Sequence, residues 1–160
     1  MFKSIVVGTD GSDRASEAVL AAAELAATQP EAVLHIVTVQ KPLSPSAVAA
    51  GEMAAAAPVA AERTWEDEIK TVLEDALSKA ADTAKRVCDT RIETHARFGS
   101  PAEVLCELAA HLQADLIVVG NKGMQGRRRV LGSVPNTVSH HAPCSVLIVD
   151  TNEDSGAADG

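Results

Sequence analysis

One stretch constrains this chain more than any other: Ala114 to Ser139, ADLIVVGNKGMQGRRRVLGSVPNTVS. Leu116 to Val119, entered from Asp115 and closed by Gly120, is a continuous apolar run. It reads as a strand buried on both faces, which requires a sheet covered by helices on two sides. A loop follows that holds Gly120, Gly123, Gly126 and three successive arginines, Arg127, Arg128 and Arg129. Gly132-Ser133 then opens a short helical pattern, with Ser133 as the candidate N-cap. Glycines let backbone N–H groups approach closely, and a helix N-terminus presents unpaired donors with a partial positive charge. A phosphate is the first expectation for this loop; an ordinary connection whose glycines only make turns is the alternative.

The rest of the chain repeats the strand–helix alternation. Lys3 to Thr9 is an apolar strand, and Asp10-Gly11-Ser12 is a turn from which Ser12 or Asp10 caps a helix over about Asp13 to Thr28. Pro30 ends that helix, and Ala32 to Gln40 (AVLHIVTVQ) is a second buried strand rich in β-branched residues. Lys41 to about Ala61 lacks a period and carries Pro42, Pro45 and Pro58, so it reads as a long surface insertion or a lid. Glu62 to Cys88 is an amphipathic helix, with Trp65, Ile69, Val72, Ala76, Ala80, Ala84 and Val87 predicted on its apolar face. Arg91 to Phe98 alternates as a half-buried or edge strand. Ser100-Pro101-Ala102-Glu103 predicts a capping box with proline at the first helical position. Val104, Leu105, Leu108, Ala109 and Leu112 are expected on the core side of that helix. After Ala142-Pro143, Cys144 to Val149 is a fifth strand, and Thr151 to Gly160 reads as a disordered acidic tail. Five strands alternating with helices predict an α/β fold: a parallel sheet with helices on both faces and right-handed crossovers.

Composition narrows the function. The chain has 160 residues and 46% hydrophobic residues, enough for one domain over residues 1–150, but 2% aromatics make the core aliphatic. A net charge of −8 argues against a general nucleic-acid binder. No 18-residue apolar run occurs, and Met1-Phe2-Lys3-Ser4 passes straight into a strand, so no membrane association and a cytoplasmic location are expected. Cys88, Cys106 and Cys144, odd in number and widely spaced, suit reduced thiols.

In open α/β sheets, ligands lie beyond the carboxyl ends of the strands where the strand order reverses. The two most continuously apolar strands, starting at Lys3 and near Asp115, are expected at the centre, which gives the order 3-2-1-4-5. Thr9-Asp10-Gly11-Ser12 then comes beside Gly120 to Ser133. One loop offers a carboxylate and the other offers donors and arginines, a combination that suits an adenosine phosphate.

Several fragments together resemble the universal stress protein family: Val6-Val7-Gly8-Thr9-Asp10-Gly11-Ser12, Gly99-Ser100-Pro101, Asp115 to Gly123, Gly132-Ser133-Val134 and Pro143 to Val149. The resemblance spans about residues 2–150. It implies a Rossmann-like sheet of order 3-2-1-4-5, related to the adenine nucleotide alpha hydrolase-like folds, that binds ATP in a dimeric stress-response regulator. By that resemblance Gly8, Thr9 and Asp10 contact adenosine, and Ile36, after His35 at the end of the second strand, contacts adenine. Val119, Gly120 and Gly123 line ribose and phosphates, while Gly132, Ser133 and Val134 hold the phosphate tail. Homodimerisation through the last strand, Cys144 to Val149, is implied too. One departure stands out: Met124 to Leu131 is eight residues where the family's Gly-x2-Gly-x9-Gly-Ser/Thr motif has nine. AMP, ADP and cyclic AMP therefore stand beside ATP as ligands, with Mg²⁺ accompanying ATP.

Catalytic signals are weak. No Gly-x4-Gly-Lys-Ser/Thr occurs, no nucleophile sits beside an evident base, and no metal-ligand set is recognisable. His140-His141-Ala142-Pro143-Cys144 resembles one on paper, but adjacent histidines at a helix end point apart. Binding, with at most slow ATP hydrolysis, is the expectation. A slow ATPase or adenylyl-handling enzyme and a ligand-free stress dimer are the alternatives.

Overall fold

The computed structural model describes residues 1–41, 60–121 and 131–151, with the backbone alone for 60–66. Five strands, β1 (Ser4–Thr9), β2 (Val33–Gln40), β3 (Arg91–Phe98), β4 (Leu116–Gly120) and β5 (Ser145–Val149), form one sheet. Its order is β3-β2-β1-β4-β5 and every neighbouring pair is parallel, as the apolarity of β1 and β4 predicts. Four helices connect them: α1 (Asp13–Ala27), α2 (Ala60–Lys85), α3 (Pro101–His111) and α4 (Ser133–His141).

Strand alternation sends successive side chains to opposite layers. Ile5 and Val7 of β1, Leu34 and Ile36 of β2, and Val118 of β4 pack under α1 and α2. Val6, Val37, Ile117 and Val119 pack under α3 and α4. Chain moves toward β3 thus carry their helices on one face, and moves toward β5 carry theirs on the other, as crossovers of a single hand require. Ile5, Leu34, Ile36 and Ile117 are fully buried, each contributing about 1.5–3 kcal/mol relative to exposure. At the amino edge, the Asp115 carboxylate accepts from the Lys3 (2.7 Å) and Ser4 (3.0 Å) N–H groups and aligns the starts of the two central strands.

Four details differ from the sequence reading. The stripe of α2 runs through Leu73, Leu77, Ala80 and Ala84, all buried, with buried Cys88 just beyond the helix end, whereas Val72 (64%) and, past the helix, Val87 (39%) are exposed. Hydrophobicity alone does not phase this helix, because exposed Val72 carries the same apolar signal as buried Leu73 and Leu77. Ser100 makes no side-chain cap hydrogen bond, so the expected capping box is not formed. Gly132, not Ser133, is the N-cap of α4, and Ser133 is its first helical residue. Thr151, placed in the tail by composition, is buried and bonded to Asn121. Residues 42–59 of the insertion expected over 41–61, residues 152–160 of the tail expected over 151–160, and the side chain of Trp65 lie outside the described residues, and the helix expected from Glu62 begins at Ala60.

Candidate nucleotide site

The carboxyl edge opens where the strand order reverses. The β1–β2 ladder runs to Thr9 and Thr38, but the β1–β4 ladder stops at Val7 and Val118. Gly8 and Thr9 on one side, and Val119 and Gly120 on the other, therefore flank a crevice rather than pair across it. Such a crevice at a change of strand direction is where open α/β sheets take their ligands.

Local chemistry fixes the first wall. Gly11, at φ +78°, turns the chain out of β1 in a conformation that favours glycine. The Asp10 carboxylate accepts from the Ser12 backbone N–H (3.0 Å) and from the Ser12 hydroxyl (2.5 Å). The same hydroxyl accepts from Ala15 N–H (3.2 Å) and caps α1. Thr9 Oγ1 accepts from Gly11 N–H (3.2 Å), so two side chains hold the turn from within. From α2, Lys79 reaches the Gly11 carbonyl (3.3 Å) and the Asp13 carboxylate (2.7 Å), and this ammonium holds the Asp13 carboxyl below its ordinary value. Asp10 thus stands exposed at the rim on a braced loop. Gly8 lies against α3, where an added Cβ would sit 3.1 Å from Leu105 Cδ1.

The second wall begins at β4. Asn121, 3% exposed, receives both the Thr151 N–H (3.0 Å) and the Thr151 hydroxyl (2.9 Å) on Oδ1, and donates to Asp150 (2.8 Å) through Nδ2. Its own N–H donates to the Val149 carbonyl (3.0 Å). One side chain therefore ties the exit of β4 to the exit of β5. Thr151 also packs on Gly120, whose added Cβ would meet Thr151 Cγ2 at 3.0 Å.

Above the α3–α4 layer lies a cleft of about 360 Å³. Gly99, Ser100 and Pro101 from the start of α3 line one side, Ser133, Val134 and Thr137 from the start of α4 another, and Lys41 follows the end of β2. Two helix N-termini converge there with a lysine. The first turns of helices leave N–H groups without intrahelical partners, and their dipoles favour anions. Pro101 lacks an N–H, and Pro135 in the first turn of α4 lacks one too, which leaves Ser133 and Val134 as the first donors on α4.

The predicted residues distribute unevenly. Gly8, Thr9, Asp10 and Gly120 stand at the crevice, and Ser133 and Val134 line the cleft, with Gly132 capping α4 beside them. Ile36 does not reach the edge: β2 continues four residues further to Gln40, and the Ile36 side chain is fully buried under α1 and α2. Val119 likewise points into the other core layer. Gly123, Arg127, Arg128, Arg129 and the short span that begins at Met124 lie outside the described residues, apart from Leu131. Lys41, Ser100, Pro101 and Thr137 were not anticipated as cleft residues. The Ser-Pro helix start was visible in sequence, but its meeting with α4 depends on the packing of α3 on α4.

A doubly wound parallel sheet with a crevice at its switch point and an anion-favouring cleft between two helix N-termini defines the class. Within that class, the model for "Universal stress protein family" matches residues 1–150, and the chain belongs to that family. Universal stress protein Rv1636 of Mycobacterium tuberculosis H37Rv is 35% identical over 151 residues, covering 94% of this chain and 97% of that protein. Putative universal stress protein SH1215 of Staphylococcus haemolyticus is 31% identical over 154 residues, covering 95% and 87%. Among solved structures, a universal stress protein in complex with cAMP aligns with TM-score 0.69 at 35% identity, covering 94% of this chain and 98% of that one. A family member from Arabidopsis thaliana with AMP bound aligns with TM-score 0.67 at 18% identity, covering 98% and 97%, a likeness of fold alone. No helix among the described residues is long and apolar enough to cross a membrane.

Proposed function

We propose that this chain binds one adenine nucleotide at the carboxyl edge of β1 and β4 and works as a dimeric, cytoplasmic stress-response regulator. Two observations carry the reading: the β1/β4 crevice at the switch point, and the convergence of the α3 and α4 N-termini with Lys41 in one cleft. Asp10 at the rim is suited to accept from ribose hydroxyls or an exocyclic amine, and Ser133 and Val134 to donate to phosphate. The cAMP held by a relative 35% identical over nearly the whole chain supports the same ligand class.

ATP is the family-typical ligand, with Mg²⁺ entering on its phosphates. Two observations favour a monophosphate, cyclic AMP or AMP, instead: the span from Met124 to Leu131 is one residue short of the motif, and that relative holds cAMP. The two described carboxylates of this edge, Asp10 and Asp150, are engaged with Ser12 and Asn121, which suits holding a ligand better than activating water. β5 supports dimerisation: it is a sheet-edge strand whose Val146, Leu147, Ile148 and Val149 are only partly covered, an apolar edge that a second copy would shield.

Thermal unfolding with each nucleotide tests the reading. A ligand at a hundredfold excess over Kd stabilises by about 2.7 kcal/mol, a rise of roughly 5–10 °C for a chain of this size. Gly132→Ala combined with Ser133→Ala is expected to abolish the rise. No rise with ATP, ADP, AMP or cyclic AMP at millimolar concentration contradicts it, and product formed in proportion to protein and lost in Asp10→Ala favours the enzyme alternative.

A further inference from the structure

The α3 side of the sheet carries a second constellation, near the β3 edge, with His95 two strands across from Gly8 through Val37. Parallel pairing sets His35 of β2 opposite Glu93 of β3 and Val37 opposite His95. Residues two apart share a face, so one buried and one half-buried histidine meet beside a carboxylate. His35 Nδ1 lies 3.1 Å from His95 Nε2 and 3.4 Å from Glu93 Oε2. The three ligand atoms all fall within 4.8 Å of one another.

We propose that His35, Glu93 and His95 form a zinc(II) site that clamps β3 to β2. Zinc bonds of about 2.0–2.2 Å at the tetrahedral angle put ligand atoms about 3.4 Å apart, close to the two spacings found. A simple hydrogen bond explains the arrangement less well. With the proton on His35 Nδ1, one N–H faces two acceptors, an imidazole nitrogen and a carboxylate oxygen, and serves one of them fully at most. With the proton on Nε2, Nδ1 can accept from His95, but its lone pair then stands 3.4 Å from a carboxylate oxygen. A cation at the centre satisfies all three lone pairs together. Two imidazoles and one carboxylate match a first-row dication of zinc's character, and three protein ligands leave a fourth position for water.

The surroundings prepare this set. Burial is the main cause that pushes both histidines below the ordinary imidazole value, with Arg97 adding to the effect at His95 and Glu93 opposing it at both. Neutral rings keep their lone pairs near neutral pH. Arg91 bonds the other oxygen of Glu93 (2.6 Å), which orients Oε2 toward His35 as outer partners of metal ligands do. His95 is four residues from Gly99, about 13 Å along a strand, so the site is separate from the cleft.

Titration of the metal-free full chain with zinc chloride, followed by calorimetry, and with cobalt(II), followed by absorption, tests this. One equivalent per chain is expected, with cobalt ligand-field bands and no sulfur-to-cobalt charge-transfer band. Zinc at a hundredfold excess over Kd is expected to raise Tm by about 5–10 °C. Glu93→Gln and His95→Gln are expected to weaken binding at least tenfold, while their metal-free circular dichroism stays that of the parent. His140→Ala with His141→Ala is expected to bind as the parent does. A thiolate charge-transfer band, binding below one equivalent, or undiminished binding in His95→Gln overturns the proposal. None of these outcomes depends on whether a nucleotide binds.

Discussion

Asn121 is the side chain on which the geometry of the second wall depends most, and its replacement by alanine puts a number on that role. The change removes three hydrogen bonds, from Thr151 N–H, from the Thr151 hydroxyl and to Asp150. Each is worth about 1 kcal/mol net, and the buried Thr151 N–H loses its partner at a site only 6% exposed. The expected loss is about 3 kcal/mol, or roughly 6–12 °C in Tm for a chain of this size. Urea unfolding reads the same quantity as a lower midpoint at constant slope. Asn121→Asp separates hydrogen bonding from packing. The new carboxylate keeps the Thr151 contacts but faces Asp150, so its pKa rises above the unfolded value. Its ionisation in the fold is then unfavourable, and the deficit is largest at neutral pH and shrinks as pH falls toward about 4. A loss below about 1 kcal/mol for Asn121→Ala, or a pH-independent deficit for Asn121→Asp, refutes this account of the tie between β4 and β5.

Gly11→Ala is expected to cost about 1–2 kcal/mol, since φ +78° disfavours a Cβ and that atom would stand 3.0 Å from Ala76 Cβ; chemical denaturation checks this, and weaker nucleotide binding should accompany it. The metal-free protein should lose stability on mild acidification. His35 and His95, with Glu93, Arg91 and Arg97 around them, titrate below their ordinary 6.5 in the fold. The unfolded chain therefore binds more protons, and this contribution is intact above about pH 6.5 and declines as pH falls below it. The decline in Tm should be smaller in His95→Gln, and an identical pH profile for that variant contradicts the assignment.

How much of this was legible in the sequence depends on what each feature rests on. The continuous apolar runs of β1 and β4 place them at the centre, because only strands covered on both faces tolerate such composition. The strand order follows, and so does the pairing of β1 with β4 that puts the exits of these two strands side by side. The resemblance puts Ile36 at the end of the second strand, whereas β2 runs four residues further to Gln40, the end that the sequence pattern itself gives. The Lys41–Ser100–Ser133 cleft depends on how α3 and α4 pack, a tertiary quantity that local motifs do not carry. The His35–Glu93–His95 cluster was hidden for a related reason: 60 residues separate its two histidines, and only the β2–β3 register joins them. An alternating strand with Glu and His two apart was the available signal.

The central claim is that the β1/β4 crevice holds one adenine nucleotide per chain. Native mass spectrometry of the purified protein incubated with ATP, ADP, AMP and cyclic AMP measures it most directly. The account predicts a dimer in which each chain gains the mass of one nucleotide, with the adduct lost in Gly132→Ala/Ser133→Ala. Bare protein at saturating concentrations of all four nucleotides would contradict it.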